Sequence, residues 1–413
     1  MLWKLAWRNL WRHSTRTVVV IVAIVASYAL LLFFIGLQAD LERSFEQAAI
    51  ETAGGNVFVH AENYWETLDN ERIIEEPGPI FEAADEMDAV SNWLPRLVIH
   101  GLLETSDDSV AVQLTGIDPA REELVRSPEE DLVEGIFFDE ENPSSLVVGI
   151  GVADRLGVGI GDRVVLTASL PDGEIERTLF FLDGIVETGA DEFDNTRAWT
   201  PLEVAQSAME MEGQLNQVAL VLHDDRQRHQ VASSMQQILD DRGQQLDVQS
   251  WDVLLPDVVA LMQFRRGLAY LIFIALLVVV ALAIANTFMM AVMERVRELG
   301  LLSAVGLTPK RMFLMLLYES LILGFIGLMV GFAAGLGLNL WVDAVGIDVT
   351  DFLGDDIDIG GVSTIDLVVR SHIVPLQWIA STLFVFFIIL VSSIYPALKA
   401  ARLMPAEAMH MNE

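Results

Sequence analysis

The sequence contains no cysteine and no motif that is typical of a catalytic or metal-binding chain. The missing cysteines exclude disulfide bonds and paired cysteine ligands for zinc. The chain also lacks the glycine-rich loop that cradles nucleotide phosphates, the H-E-x-x-H zinc motif and the G-x-S-x-G nucleophile motif. Its seven histidines have no metal-ligand spacing, and the acidic stretch 187–195 lacks the periodicity of an EF-hand loop. We therefore expect a chain that is not an enzyme and that binds no metal or cofactor itself.

Positively charged residues are also scarce. The chain has 25 Lys and Arg against 59 Asp and Glu, and its formal net charge at pH 7 is −34. Residues 38–266 alone contain 47 acidic residues and 14 arginines. Such a surface repels phosphate, which argues against nucleic-acid binding. The acidic excess is typical of solubility in a saline habitat, and binding of a cationic partner is the alternative.

Long apolar runs dominate the rest of the chain. Four runs carry at most one charge each, at residues 18–37, 268–293, 312–341 and 378–398. A bilayer core about 30 Å thick is crossed by roughly 20 helical residues, so every run is long enough to span it. The first run is too long for a signal peptide and no convincing cleavage site follows it, which favours an uncleaved anchor. The sequence predicts four transmembrane helices.

The distribution of lysine predicts the orientation of these helices. All three lysines of the chain lie in short segments outside the spans, namely 1–17, 294–311 and 399–413. The positive-inside rule places these segments, and hence both termini, in the cytoplasm. In residues 1–17, tryptophans at every fourth position beside basic residues predict an amphipathic helix at the membrane surface. Residues 38–267 and the acidic loop 342–377 are then external.

The segment 38–267 is large enough for one or two lobes of mixed structure. Stretches rich in β-forming residues, such as 56–65 and 145–168, alternate with stretches of helical periodicity, such as 225–243. The predicted fold class is an α-helical membrane protein with four transmembrane helices plus a large external α+β domain between the first and second helices.

Two features of the third apolar run predict helix packing. Gly327, Gly331 and Gly335 recur at four-residue spacing, so they share one face on which a neighbouring helix can approach closely. Tight packing is one role for this face, and a sliding or gating seam is the other. Glu319 is the single charge in the run, and an acid within the bilayer costs on the order of a few kcal/mol. We expect it to form a structural contact with a neighbouring helix rather than to carry a proton or contact substrate.

The charged segment between the second and third runs carries a resemblance to a known family. Residues 284–307, IANTFMMAVMERVRELGLLSAVGL, resemble the signature of FtsX-like ABC transporter permeases, the MacB and LolC/LolE superfamily. In that signature an Asn in the second span, here Asn286, precedes V-x-E-R-x-R-E-x-G-x-L-x-A-x-G. The stretches 116–119, 147–164, 183–206, 250–258 and 395–409 are similar to other parts of the family, so the resemblance covers nearly the whole chain in order.

The resemblance implies a mechanism. Such permeases work in pairs, as homodimers or heterodimers, and each copy contacts a separate cytoplasmic ATPase subunit that binds ATP and Mg. Closure of the ATPase dimer pushes a short coupling helix between the second and third spans, and the motion reaches the external domain. The matched positions here include Glu294, Arg295, Arg297, Glu298, Gly300, Leu302 and Gly306, and Leu299, Leu301 and Leu302 offer apolar contacts for a groove on the ATPase.

The resemblance also suggests a cargo. The external motifs favour release of lipoproteins from the inner membrane toward the outer membrane, with a periplasmic chaperone as a further partner. Five aromatic residues near the outer ends of the first two spans are candidates to line an entrance for acyl chains, and ordinary lipid contact explains them equally well: Tyr28, Phe33, Phe34, Phe264 and Phe273. The alternatives are MacB-like efflux of peptides or amphipathic drugs and FtsX-like activation of a cell-wall hydrolase.

Overall fold

The computed structural model describes residues 7–8, 14–67, 70–122, 128–138, 142, 144–188, 191–293, 296–305, 307–348 and 368–401. The chain divides into two compact units. The helical unit comprises Met1–Ser44, Gln263–Val349 and Val368–Glu413, and the α+β unit comprises Phe45–Met262 and Thr350–Leu367.

The first element is helix α1 (Ser14–Ala53), which has 40 residues and belongs to both units. It is followed in the α+β unit by β1 (Val57–Ala61), α2 (Tyr64–Thr67), α3 (Gly78–Asp85), β2 (Val90–Glu104), β3 (Ser109–Ile117), α4 (Pro119–Glu122), a 3-10 turn (Pro128–Asp131), β4 (Leu132–Gly135), β5 (Ser145–Gly149), α5 (Ile150–Leu156), β6 (Arg163–Ser169), β7 (Ile175–Val186), α6 (Asp191–Asp194), β8 (Arg197–Pro201), α7 (Leu202–Ala208), β9 (Gln217–Leu222), a second 3-10 turn (Asp225–Gln227), α8 (Arg228–Asp241), β10 (Leu246–Ser250) and α9 (Trp251–Leu254).

The remaining elements return to the helical unit. They are α10 (Pro256–Met293), α11 (Val296–Ala304), α12 (Pro309–Val345), the short paired strands β11 (Ile347–Asp348) and β12 (Val368–Val369), and α13 (Pro375–Ala401). Four of the helices are long and apolar enough to cross a membrane: Thr17–Glu51, Pro256–Asn286, Pro309–Val345 and Pro375–Lys399. Four such helices, with an α+β unit between the first and second, confirm the fold class predicted from the sequence.

The helices do not end where the apolar runs end. Helix α1 continues from residue 37 to Ala53, and α10 begins at Pro256, well before the apolar run that starts at residue 268. The sequence-based limits of 38 and 267 marked the change in hydropathy. The backbone remains helical beyond it because residues 38–53 include good helix formers, such as Leu, Glu, Gln and Ala, and no proline or glycine.

The sheet of the α+β unit mixes parallel and antiparallel pairs. Its strand order is β10-β1-β9-β2-β3-β8-β5-β7-β4, and β6 pairs with both β2 and β7. The 15-residue strand β2 spans the sheet: its first half pairs with β9, and its second half pairs with β3 and β6. One apolar core lies around β3, β5 to β8, α5 and α7, and a second lies around β1, β9, α3 and α8. Strand β2 therefore joins two lobes.

The core of the helical unit is built on close contact between α12 and α1. A Cβ atom added at Gly327 would lie 2.7 Å from Cγ2 of Ile24, and one at Gly335 would lie 2.9 Å from Cδ1 of Leu32. A Cβ atom at Gly331 would lie 3.0 Å from Tyr28 and 3.3 Å from the Cα of Val25. The glycine face of α12 thus lies directly against α1, as close approach between membrane helices requires.

We expect Gly331→Leu to destabilise the helical unit, because the added side chain meets the backbone of α1 and no rotamer change relieves the overlap. The loss should be about 1–3 kcal/mol, the usual cost of overpacking. Gly337→Leu on the same helix is the matched control, since nothing lies within 4 Å of a Cβ atom there. Thermal unfolding of the detergent-solubilised chain measures both. Equal unfolding temperatures for the two variants would contradict the packing role.

A second expectation concerns a histidine in β1. His60 is fully buried, its Nδ1 lies 3.0 Å from the carbonyl oxygen of Asn216, and its ring stacks on Tyr64 with the centroids 4.7 Å apart. Burial lowers the pKa of His60 from 6.5 to about 3, and the bond to Asn216 opposes this shift only in part. The neutral ring is therefore the form that fits the fold.

Because the folded pKa lies below the unfolded one, the unfolded chain binds a proton between pH 6.5 and about 3 that the folded chain does not. His60 stabilises the fold above pH 6.5, and this contribution is lost with acidification at up to about 1.4 kcal/mol per pH unit. His60→Phe should flatten the decline of the unfolding temperature between pH 7 and pH 4, although it removes the bond to Asn216 at every pH. Parallel declines in variant and wild type would exclude this role.

Candidate functional site

The short helix α11 and its connection to α12 form the segment in which the sequence placed the coupling residues. The N–H of Leu307 donates to the carbonyl oxygen of Leu302 at 3.0 Å, and the N–H of Met312 donates to that of Thr308 at 3.0 Å. Thr308 is extended, and Pro309 begins α12, where its fixed φ favours the first turn and its missing N–H costs nothing. The connection is therefore short and hydrogen-bonded, with little slack between the two helices.

One face of α11 is anchored inside the chain. Leu299 is 1% exposed and belongs to an apolar cluster with Met312, Met315 and Leu316 of α12 and Ala397 of α13. Gly300 beside it is also buried. The sequence offered Leu299 as a contact for the ATPase, whereas the structure places its side chain against the ends of α12 and α13. Leu299 therefore fixes the helix to the bundle.

The opposite face of α11 is apolar and open. Leu301 is 55% exposed, Leu302 is 39% exposed and Val305, just beyond the helix, is 88% exposed. Positions 301 and 305 lie one turn apart and face away from position 299, and position 302 lies at the edge of their face. We call Leu301, Leu302 and Val305 the outward face. Three apolar side chains therefore lie open together on this short segment.

The charged residues of the signature are described only in part. Glu298 is half-buried in the first turn of α11, where a carboxylate interacts favourably with the helix dipole. Arg297 belongs to α11. Glu294, Arg295 and Gly306 lie outside the described residues.

The two polar residues predicted to act within the spans differ in exposure. Glu319 on α12 is 6% exposed, so it lies inside the bundle. Asn286 lies on α10 and is exposed on the surface of the single chain.

The five candidate entrance aromatics do not form one surface. Tyr28 is fully buried, and its hydroxyl bonds the hydroxyl of Thr382, which itself donates to the carbonyl oxygen of Trp378 at 2.6 Å. Phe33, Phe34 and Phe273 are half-buried, and only Phe264 among the five is openly exposed, at 70%. Tyr28 therefore lies in the interior of the bundle and not at a surface entrance of the single chain.

Sequence reasoning overlooked a polar contact that joins α1, α12 and the segment before α13. Asn339 is fully buried, its Nδ2 donates to the carbonyl oxygen of Gly335 at 2.7 Å, and its Oδ1 accepts from the hydroxyl of Ser371. A Cβ atom at Gly36 would lie 2.0 Å from this Oδ1, so Gly36 leaves the space that the amide occupies. The N–H of His372 donates to the carbonyl oxygen of Gly36 at 3.0 Å. The signal in the sequence was an Asn inside an apolar run.

Within the described part of the chain, no group of three or more His, Cys, Asp or Glu side chains is placed to hold a metal ion.

Comparisons with known proteins cover most of the chain. Residues 17–238 match the family described as MacB-like periplasmic core domain, and residues 270–405 match the family described as FtsX-like permease C-terminal. The chain is 23% identical over 336 residues to the lipoprotein-releasing system transmembrane protein LolC of Neisseria meningitidis, covering 76% of this chain and 77% of that protein. It is 25% identical over 329 residues to the lipoprotein-releasing system transmembrane protein LolE of Haemophilus influenzae, covering 76% of each.

Among solved structures, the chain matches the periplasmic region of MacB from Actinobacillus actinomycetemcomitans with a TM-score of 0.34 and 12% identity, covering 49% of this chain and 92% of that one. The match to the MacB-like periplasmic core domain alone spans more than half of the chain. The FtsX-like match follows it along the sequence, as the main segment of the helical unit follows that of the α+β unit. The chain therefore belongs to the FtsX-like permeases that carry a MacB-like periplasmic core domain, and it is an ABC transporter permease of the superfamily that includes LolC, LolE and MacB.

Proposed function

We propose that this permease couples ATP hydrolysis by a separate cytoplasmic ATPase subunit to the release of lipid-anchored proteins from the inner membrane. The observation that carries the coupling is the two-sided packing of α11. Its inner side is fixed to α12 and α13 through Leu299, and its outward face leaves three apolar side chains open. A partner that binds this face moves α12 and α13 with it, because the connection to α12 has little slack.

In this proposal the ATPase, with its ATP and Mg, lies on the cytoplasmic side, together with α11 and both termini. The positive-inside rule supports this orientation, because the three lysines of the chain lie in or next to α11 and the two terminal segments. The α+β unit, which has no lysine and most of the acidic residues, then faces the periplasm.

The proposed assembly contains a second permease copy, identical or related. Asn286 supports this, because it is a polar side chain exposed on an otherwise apolar helix. Contact with another protein subunit would satisfy its amide better than lipid does.

Lipoproteins are the proposed cargo because the two relatives named above are described as lipoprotein-releasing proteins and align over three quarters of this chain. Efflux of amphipathic molecules is the second candidate, since the match of residues 17–238 is to a core domain named after the macrolide exporter family.

The coupling part is tested by substitutions on the two sides of α11. Leu301→Asp should weaken association with the partner ATPase by about tenfold or more, since it places a charge at the centre of an apolar contact, while the permease stays folded. Val253→Asp is the matched control, because Val253 is equally exposed, at 55%, but lies on α9 in the α+β unit. Leu299→Asp should instead lower the unfolding temperature, because it buries a charge. Association is measured with the solubilised permease and the purified ATPase, and unchanged binding by Leu301→Asp would contradict the proposed face.

The cargo is tested in vesicles that contain the permease, its co-purified ATPase and a radiolabelled lipoprotein. We expect ATP to move the lipoprotein into the supernatant when an acceptor chaperone is present, and we expect no release of the same protein from vesicles without permease. An ATP-dependent loss of a fluorescent amphipathic drug from the vesicles, with the lipoprotein retained, would favour the efflux function instead.

A further inference from the structure

Two connections between the units meet the sheet at one apolar cluster. Trp251 is 1% exposed and packs with Phe58, Leu94 and Ala219 of the sheet and with Ala49 near the end of α1. Further partly buried apolar residues from α1, α9 and α10 pack against the same cluster: Ile50, Ala53, Leu254, Val258, Val259 and Met262. The last turns of α1 and the first turns of α10 are thus fixed to the same place on the α+β unit.

Arg228, the first residue of α8, lies at the edge of this cluster and faces three carboxylates. Its Nη1 lies 2.5 Å from Oδ2 of Asp225 and 3.5 Å from Oε1 of Glu46, and its Nε lies 3.2 Å from Oδ1 of Asp252. Its guanidinium carbon lies 5.4 Å from the ring centroid of Trp251. We call Arg228, Glu46, Asp225, Trp251 and Asp252 the Arg228 cluster.

The cluster joins four separate elements. Glu46 belongs to α1, Asp225 to the turn after β9, Arg228 to α8 and Asp252 to α9, which leads into α10. The Arg228 side chain can transmit a displacement of one element to the other elements only if its own position is fixed. The Arg228 side chain is 19% exposed, so it is largely held by its surroundings.

The carboxylates are fixed in turn by further hydrogen bonds. Oδ1 of Asp225 accepts from Nε1 of Trp251 at 3.1 Å and from Nδ2 of Asn56 at 2.8 Å. Oδ1 of Asn56 accepts from the N–H of Leu222 at the end of β9 at 2.9 Å. These bonds extend the cluster into the sheet itself.

The environment of Asp252 supports the same arrangement. Burial raises its pKa, but the hydrogen bond from Ser250, at 2.6 Å, and the charges of Arg228 and His229 outweigh burial and hold the pKa of Asp252 below its usual value. Asp252 is therefore ionised at neutral pH and pairs with the guanidinium.

Arginine suits this position for a geometric reason. Its planar guanidinium presents five donors in a fixed fork, so one side chain can bond acceptors that approach from different elements. Arg228 lies between carboxylates from three different elements, and the largely exposed His229 lies beside one of them, with its Nε2 3.2 Å from Oδ2 of Asp252. Like charges at such distances repel, so loss of Arg228 loosens α1 and α9 from the base of α8.

We infer that Arg228 is a positioning residue that fixes the end of α1, and α9 at the start of α10, to the α+β unit, so that movement of α1 and α10 moves the sheet. The inference rests on the proposed function, because the movement is the one that the ATPase drives. It assigns Arg228 no contact with cargo or nucleotide.

The test uses the full chain with its co-purified ATPase in vesicles. Arg228→Met removes the charge and keeps the length of the side chain. Arg242→Met is the matched control at the other end of α8, directly after its last residue. Arg242 also faces two carboxylates, Glu82 at 3.4 Å and Glu86 at 3.5 Å, but these belong to or follow α3 and neither belongs to α1 or α9. Glu46→Gln is a milder variant that removes only the link to α1 and leaves Asp225 and Asp252 in place.

The readout is the distance between spin labels at Ser234→Cys on α8 and Leu376→Cys on α13, both of which are exposed. The native chain has no cysteine, so the labels attach only to these two positions. The distance is compared without nucleotide and with ATP and vanadate, and the unfolding temperature of each variant is measured alongside.

We expect a nucleotide-dependent change of distance in the wild type and in Arg242→Met. In Arg228→Met and Glu46→Gln the change should be reduced by roughly half or more, while nucleotide binding by the ATPase persists. If Arg228→Met does not fold, Glu46→Gln alone decides. A folded Glu46→Gln or Arg228→Met chain that shows the full change of distance, even with a lowered unfolding temperature, would mean that Arg228 has a merely structural role. This result would overturn the inference and leave the proposed function standing. No change in the wild type would overturn the proposed coupling and the inference together.

Discussion

Contact between the glycine face of α12 and helix α1 is the constraint on which the helical unit depends. Within a bilayer, lipid chains are as apolar as leucine, so helices associate through shape and van der Waals contact rather than through the hydrophobic effect. The glycines at 327, 331 and 335 let the two backbones approach, and the buried amide of Asn339 with the hydroxyl of Ser371 secures the same pair near the end of α12. In the proposed mechanism α12 also carries α11 at its other end, so the helix that receives the push is closely packed on α1.

Much of this architecture could be predicted from the sequence, since it follows from length and period. A run of twenty apolar residues spans a bilayer whatever its neighbours are, and a four-residue spacing places glycines on one face of a helix. The exposure of Leu301 and the burial of Leu299 could not be predicted, because both are leucines in a helix of nine residues that is apolar on more than one side. The burial of Tyr28 depends on Thr382, which lies far away along the chain, and the order of the strands likewise depends on distant pairings.

The α+β unit shows how a strongly acidic chain uses its few cations. Arg96 is 9% exposed and pairs with the buried Glu122 through two bonds, Nε to Oε1 at 2.7 Å and Nη2 to Oε2 at 2.9 Å. Arg228 faces carboxylates of three elements, with one contact to each. Arginine is well suited to such bidentate, partly desolvated contacts, and lysine is not, which agrees with the absence of lysine from residues 38–266.

The length of α1 has a mechanical consequence. A helix of 40 residues is about 60 Å long, roughly twice the thickness of a bilayer core. It has no proline, and its one internal glycine, Gly36, is enclosed by Asn339 and Ser371, so the rod has no evident hinge. Such a rod acts as a lever: a tilt of about 5° about one end displaces the other by about 5 Å, several times the amplitude of thermal motion in a packed core. In the proposed mechanism, a small rotation of α1 at one end therefore gives a large translation at its other end, and α1 need not unwind.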